Sequence, residues 1–112
     1  MFIHSCSFWS IVIDRQQIKE DILIVGDTMN SWRRKDGHFL LVEDLSDVWK
    51  YAPEVLIIGC GADSAMKISK TVVRKCSDEH IDLISCRTHD AVDEFNRISG
   101  QKKTACGLHL TC

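Results

Sequence analysis

The sequence predicts a mixed α/β fold in which one β-sheet carries three helices. Three observations carry this. Short branched-apolar runs at Ile22–Val25, Val55–Ile58 and Ile81–Cys86 read as strands. Segments with apolar residues at helical spacing lie between and after them. Strand, helix, strand and helix alternate from Val55 to Gly100, which calls for at least one parallel strand pair with a right-handed crossover. At 112 residues the chain is expected to form one domain, 1–112.

Along the chain, Trp9, Ile11 and Ile13 alternate with Ser10, Val12 and Asp14, predicting a first strand; Asp14–Gln17 reads as a turn. Ile22–Val25 follows, closed by Gly26-Asp27, so the two strands are expected to form an N-terminal hairpin. Thr28–Gly37 is polar and irregular and reads as a mobile or functional loop. Leu45, Val48, Trp49 and Ala52 predict a helix over Val42–Tyr51 that stops before Pro53. The buried strand ends in Gly59-Cys60-Gly61. Ser69 is expected to cap a helix over Lys70–Glu79 that buries Val72, Val73 and Cys76. Thr88 is the expected N-cap of a last helix burying Ala91, Val92, Phe95 and Ile98 and ending at Gly100. Thr104–Thr111 closes the fold as an alternating strand, partly antiparallel to its neighbours. Cys106, Leu108 and Leu110 share one face; Ala105, Gly107, His109 and Thr111 share the other.

Composition narrows the function. Apolar content is 45% and net charge is −2, so no strong field attracts nucleic acid or an anionic membrane. No apolar run reaches membrane-spanning length. The N-terminus lacks a basic region, which argues against a secretory signal. Six cysteines without a Cys-x-x-Cys pair fit reduced, mostly buried thiols in a cytoplasmic protein.

In order and spacing, several segments mark a family. They are Phe8-Trp9-Ser10-Ile11-Val12-Ile13-Asp14, Trp32-Arg33-Arg34, Val55-Leu56-Ile57-Ile58-Gly59-Cys60-Gly61, Met66-Lys67-Ile68, Ala91-Val92-Asp93-Glu94-Phe95-Asn96 and His109-Leu110-Thr111-Cys112. From about Phe8 to Cys112 the chain resembles the domain-of-unknown-function family 498, the Mth-938-like fold. That resemblance implies a compact mixed-sheet domain with a β excursion and no settled enzymatic activity. Eukaryotic relatives include a mitochondrial complex I assembly factor and a protein linked to fat-cell differentiation, which implies protein contacts. Two departures stand out: Ile68-Ser69-Lys70 where relatives often carry proline, and no capping side chain near Leu41.

Two candidate sites follow from the residues. At the first, exposed N–H groups of Gly59, Cys60 and Gly61 would cradle a small anion, with Arg87, Thr88 and the next helix N-terminus beside them. Ser64 breaks the Gly-x-Gly-x-x-Gly spacing, so this is not a nucleotide motif. The second is the Trp32, Arg33 and Arg34 loop, whose residue types dominate protein-contact hot spots; Arg33 or Arg34 would also close over the first site. Cys60 as a nucleophile, with His109 or His89 as base, is the lesser reading. Asp14, Asp36, Asp63 and Asp90 form no acid–base pair. Neither a catalytic centre nor a metal site or cofactor is expected: His109 and Cys112 lie on opposite strand faces. The expected role is a protein-binding or assembly module, with protein partners and self-association left open. The alternative is a binder or enzyme of small anionic metabolites using the Gly59-Cys60-Gly61 cleft.

Overall fold

The computed structural model describes residues 1–7 and 10–110. Among the described residues, ten strands and three α-helices follow one another: β1 (Ile3–Ser7), β2 (Ser10–Ile13), β3 (Gln16–Ile18), β4 (Ile22–Val25), β5 (Thr28–Ser31) and β6 (Phe39–Leu40). A 3-10 turn (Val42–Leu45) leads into α1 (Ser46–Tyr51). Then come β7 (Val55–Gly59), β8 (Lys67–Ile68), α2 (Lys70–Asp78), β9 (Asp82–Cys86), α3 (Thr88–Ile98) and β10 (Thr104–Leu108). The central sheet has the order β5-β4-β10-β7-β9. β7 runs parallel to both β9 and β10, while β4 runs antiparallel to β10 and β5.

The sheet separates two cores. On one face Val55, Ile57, Cys106, Leu108 and Leu110 meet α3 through Ala91, Val92, Phe95 and Ile98. Ile3, Ile11 and Ile13 of the β1-β2-β3 sheet complete that core. On the other face Leu23, Leu56, Ile58 and Ala105 meet Trp32, Leu40, Leu45, Val48, Met66, Val72 and Cys76. The parity expected for the closing strand therefore holds from Ala105 to Leu110. Its central position explains why Thr104–Leu110 is buried throughout.

Several expectations need correction. The strands expected to pair as one hairpin belong to different sheets. Each instead forms its own two-residue hairpin, β2 with β3 and β4 with β5. Thr28–Ser31, read as irregular, is an edge strand whose solvent-facing side chains hide its period. The single helix over Val42–Tyr51 begins instead as a 3-10 turn. The Asp44 carboxylate reaches back to the Leu41 N–H (2.9 Å), supplying a cap from three residues further on. Ala52 leaves the helix in the left-handed region (φ 53°) and is exposed. Val73 is 50% exposed, so α2 buries only Val72 and Cys76. Arg87, not Thr88, occupies the N-cap position of α3. Trp9, Thr111 and Cys112 lie outside the described residues.

The β2–β3 turn places Asp14 (φ 49°) and Arg15 (φ 69°) in the left-handed region. Two such residues make a type I′ turn, whose second position favours glycine. Arg15→Gly is expected to stabilise the protein by about 1 kcal/mol, raising the melting midpoint by a few degrees. An unchanged or lower midpoint would mean that Arg15 makes a compensating contact.

Candidate functional site

Strand register assembles a polar cluster at one end of the sheet. Antiparallel pairing sets Leu108 opposite Ile22 and Ile22 opposite Ser31. One step further along each strand come His109, Asp21 and Trp32. The Trp32 N–H donates to the Asp21 carbonyl (2.9 Å), and two residues later Arg34 turns inward. Asp21 Oδ2 accepts from Arg34 Nη2 and from His109 Nδ1, both at 2.7 Å, while Oδ1 accepts from the Leu110 N–H at 2.8 Å. The Arg34 side chain is 4% exposed and that of His109 7%.

The carboxylate can only accept, so the bond at Nδ1 fixes the proton on that nitrogen. Arg34 Nη2 also lies 3.0 Å from Nδ1, because both donors converge on the same oxygen. Burial alone would raise the Asp21 pKa. Bonds from His109, Leu110 and Arg34 outweigh it and hold the carboxyl below its ordinary value.

Arg34 is only partly satisfied. Nη2 also points to the Gly37 carbonyl at 3.3 Å, and the guanidinium lies 4.6 Å from the Trp32 ring centroid. Buried Nε and Nη1 have no hydrogen-bond partner. Trp32 itself is anchored by its indole N–H on the Asp44 carbonyl (3.0 Å). Asp44 Oδ1 also accepts from the Lys35 N–H (3.0 Å), so one carboxylate ties the strap to the 3-10 turn. The strap beyond Arg34, from Lys35 to Phe39, is exposed.

The loop expected to be a contact surface therefore divides. Trp32 and Arg34 face inward, and Arg33 alone of the three stays on the surface. The structure brings Gly59, Cys60, Gly61 and Thr88 together, as the parallel β7–β9 pair requires. Their donors, however, are engaged. The Cys60 N–H donates to the Cys86 carbonyl (2.8 Å) and the Gly61 N–H to Thr88 Oγ1 (2.8 Å). The Thr88 hydroxyl in turn donates to the His109 carbonyl. Gly61 adopts φ 101°, where glycine carries no steric penalty. Arg87 stands apart, 64% exposed and paired with Asp90 at 3.4 Å. The expected cradle is thus a set of internal bonds that join β7, α3 and β10.

Among the described residues, the surroundings of every cysteine raise its thiol pKa. Burial raises the Cys60 thiol pKa, and nearby Lys67 offsets only part of this. Burial, with Asp90, Cys60 and Glu94 adding, pushes Cys86 to about 11. Among the described residues the one cluster with metal-ligand spacing is His89, Asp90 and Asp93, all exposed on α3. Solvated acidic groups of this kind need no ion.

The signal for the real cluster was faint in sequence. Asp21 precedes a strand, His109 follows one, and only the register of β4 on β10 joins them.

The fold matches solved structures over almost its whole length. The conserved hypothetical protein PH1505 from Pyrococcus horikoshii has a TM-score of 0.92 at 21% identity, with both chains covered completely. MT938 has a TM-score of 0.81 at 24% identity over 99% of this chain and 98% of its own. A Mth938-like domain from Bordetella pertussis has a TM-score of 0.64 at 13% identity, covering 96% and 84%. A search of curated proteins finds no match. A family model described as a protein of unknown function (DUF498/DUF598) matches residues 3–109. The chain belongs to this DUF498/DUF598 family, with the Mth938-like fold.

Proposed function

We propose that this domain is a binding module that holds a small oxygen-rich ligand against Arg34. The observation that supports this reading is the pair of buried Arg34 nitrogens, Nε and Nη1, without an acceptor. Buried polar groups in folded proteins are nearly always bonded, and an unmet donor costs about 1–3 kcal/mol. An acceptor oxygen from a ligand would recover that energy. A buried water is the competing occupant. The Lys35–Phe39 strap lies beside the guanidinium and is exposed.

Melting in sodium acetate or sodium phosphate at about 20 mM, against sodium chloride of equal ionic strength, tests the reading. Stabilisation follows ligand concentration by mass action. The wild type is expected to gain stability in one of the oxyanions, and Arg34→Gln to gain none. Equal midpoints in all three salts would leave the site to water and sink the proposal.

Docking of a protein partner is the second reading. Phe39 is 42% exposed on the same strap as Arg33 and His38. An aromatic ringed by polar groups is the pattern of a contact hot spot. A partner retained by the wild type and lost by Phe39→Asp supports it; equal retention removes it. Five described free cysteines suit a reducing, cytoplasmic setting. Among the described residues no helix is long and apolar enough to cross a membrane.

A further inference from the structure

We propose that the outer edge of β9 binds an extended segment of a partner protein as an added antiparallel strand. The segment carries a carboxylate opposite Ser85, an apolar side chain opposite Leu83 and a cation opposite Asp82. The inference does not rest on the Arg34 site.

The backbone supplies the first part of the argument. β9 ends the central sheet on one side. Its bonds to β7 alternate along the strand. The Asp82 N–H donates to the Glu54 carbonyl (3.0 Å), and the Cys86 carbonyl accepts from the Cys60 N–H (2.8 Å). The same alternation turns the N–H and C=O groups of Leu83 and Ser85 outward. Among the described residues no strand pairs with them. Such an edge templates strand pairing unless proline, a bulge or charge blunts it. β9 keeps a regular register with β7, contains no proline and leaves Leu83 and Ile84 only partly buried. The opposite edge, β5, is polar instead, with Thr28, Asn30 and Ser31 exposed.

Side chains say what the added strand carries. Two grooves flank the edge. Val73, Cys76, Ile81 and Leu83 line the first, where Val73 of α2 is 50% exposed. Met66, Lys67, Ile68 and Ser85 line the second. Leu83 and Ser85 stand two residues apart, about 7 Å along the strand, which is the spacing of alternate side chains on an added strand. An apolar side chain suits the first groove. Lys67, exposed and without an ion-pair partner, calls for a carboxylate at the second. On the other face, Ile84 and Cys86 pack against the α3 core, and parity places Asp82 with them. Asp82 is exposed and its carboxylate has no partner, so it calls for a cation. A second copy of this chain fits less well. Pairing β9 with itself about Ile84 would bring Leu83, not a carboxylate, to Lys67. It would also set Asp82 opposite Cys86. Burial raises the thiol pKa of Cys86 and the carboxylates of Asp90 and Glu94 add to it, which puts both beside that position. Like charges facing each other across a strand pair oppose it.

The test measures amide hydrogen exchange at Leu83 and Ser85 by NMR with the end-capped peptide Ser-Glu-Val-Leu-Lys-Ser. At about 5 mM peptide both amides are expected to exchange at least about fivefold more slowly, while Ile84, which bonds to β7, is unchanged. The same peptide N-methylated at Glu and Leu lacks the N–H groups that face β9 and is expected to have no effect. A peptide with Glu and Lys exchanged is expected to protect less, and Asp82→Lys combined with Lys67→Glu to reverse that preference. No slowing with any peptide overturns the proposal. Equal slowing by the N-methylated peptide overturns strand addition, and equal slowing by the exchanged peptide overturns the charge assignment. Protection that grows with protein concentration in the absence of peptide gives the edge to a second copy and overturns the partner assignment. If the double variant does not fold, the wild type with the two peptides decides alone.

Discussion

Asp21→Ala is expected to lower the unfolding free energy by about 3 kcal/mol at neutral pH, measured by urea denaturation with an unchanged m-value. The carboxylate accepts three bonds, from Arg34, His109 and the Leu110 N–H. Its removal leaves a buried guanidinium without a counter-ion, beside the Gly37 carbonyl at 3.3 Å, His109 Nδ1 at 3.0 Å and the Trp32 ring. Breaking a buried pair from one side costs about 3–5 kcal/mol. The Asp21 side chain is 20% exposed, so the lower end applies. Because the folded-state pKa of Asp21 is depressed, its contribution is fully present above the unfolded carboxylate value of about 4. It is lost as pH falls through the lower folded value. The gap between wild type and Asp21→Ala should therefore narrow on acidification below about pH 4. A gap of constant size down to about pH 2 would show that the charge of Asp21 is not its source.

The elements legible in the sequence are those whose period reflects burial on both or on one known face. Val55–Ile58 is apolar without interruption because both faces of β7 are covered. The alternation of Thr104–Leu110 survives in the structure because its two faces meet different cores. The unread strands lack such a period. β3 and β5 lie at sheet edges with mostly exposed side chains. In β1 the register shifts between Ile3 and Ser5, so apolar Ile3 and Cys6 fall out of step. β6 and β8 have two residues each and exist through each other, with the Lys67 N–H on the His38 carbonyl (2.8 Å).

The site was less legible than the fold for a related reason. Arg34 in a run of Arg33, Arg34 and Lys35 looks like a solvated charge, and its neighbours indeed are exposed. Nothing nearby along the chain reveals that Asp21 and His109 wait for it. The glycine turn was the opposite case. Its residues advertise close approach, and the close approach is real. A Cβ on Gly59 would lie 2.9 Å from Thr88 Cα and 3.0 Å from Thr88 Oγ1. The backbone N–H of Gly61, expected to face a ligand, meets Thr88 at the start of α3.

Gly107 shows how that reasoning extends to the cluster. A Cβ there would lie 2.5 Å from Trp32 Cη2 and 2.6 Å from Cζ3, well inside any real contact. Trp32 cannot swing aside freely, since its indole N–H is held by Asp44 and its ring by Arg34. Gly107→Ala is therefore expected to destabilise by about 3 kcal/mol, the upper end for an overpacked core. Reducing the ring should relieve the clash: Gly107→Ala combined with Trp32→Leu is expected to cost less than the sum of the two single changes, by about 1–2 kcal/mol. Strict additivity would mean that strand β10 moves instead of the indole. The prediction also reaches the ligand site. The outer ring of Trp32 packs against the strand at Gly107, and the same ring lies 4.6 Å from the Arg34 guanidinium. Lifting the ring should expose the guanidinium to solvent and let water satisfy Nε and Nη1. Gly107→Ala is thus expected to lose the acetate response of the wild type even where enough protein remains folded to measure it.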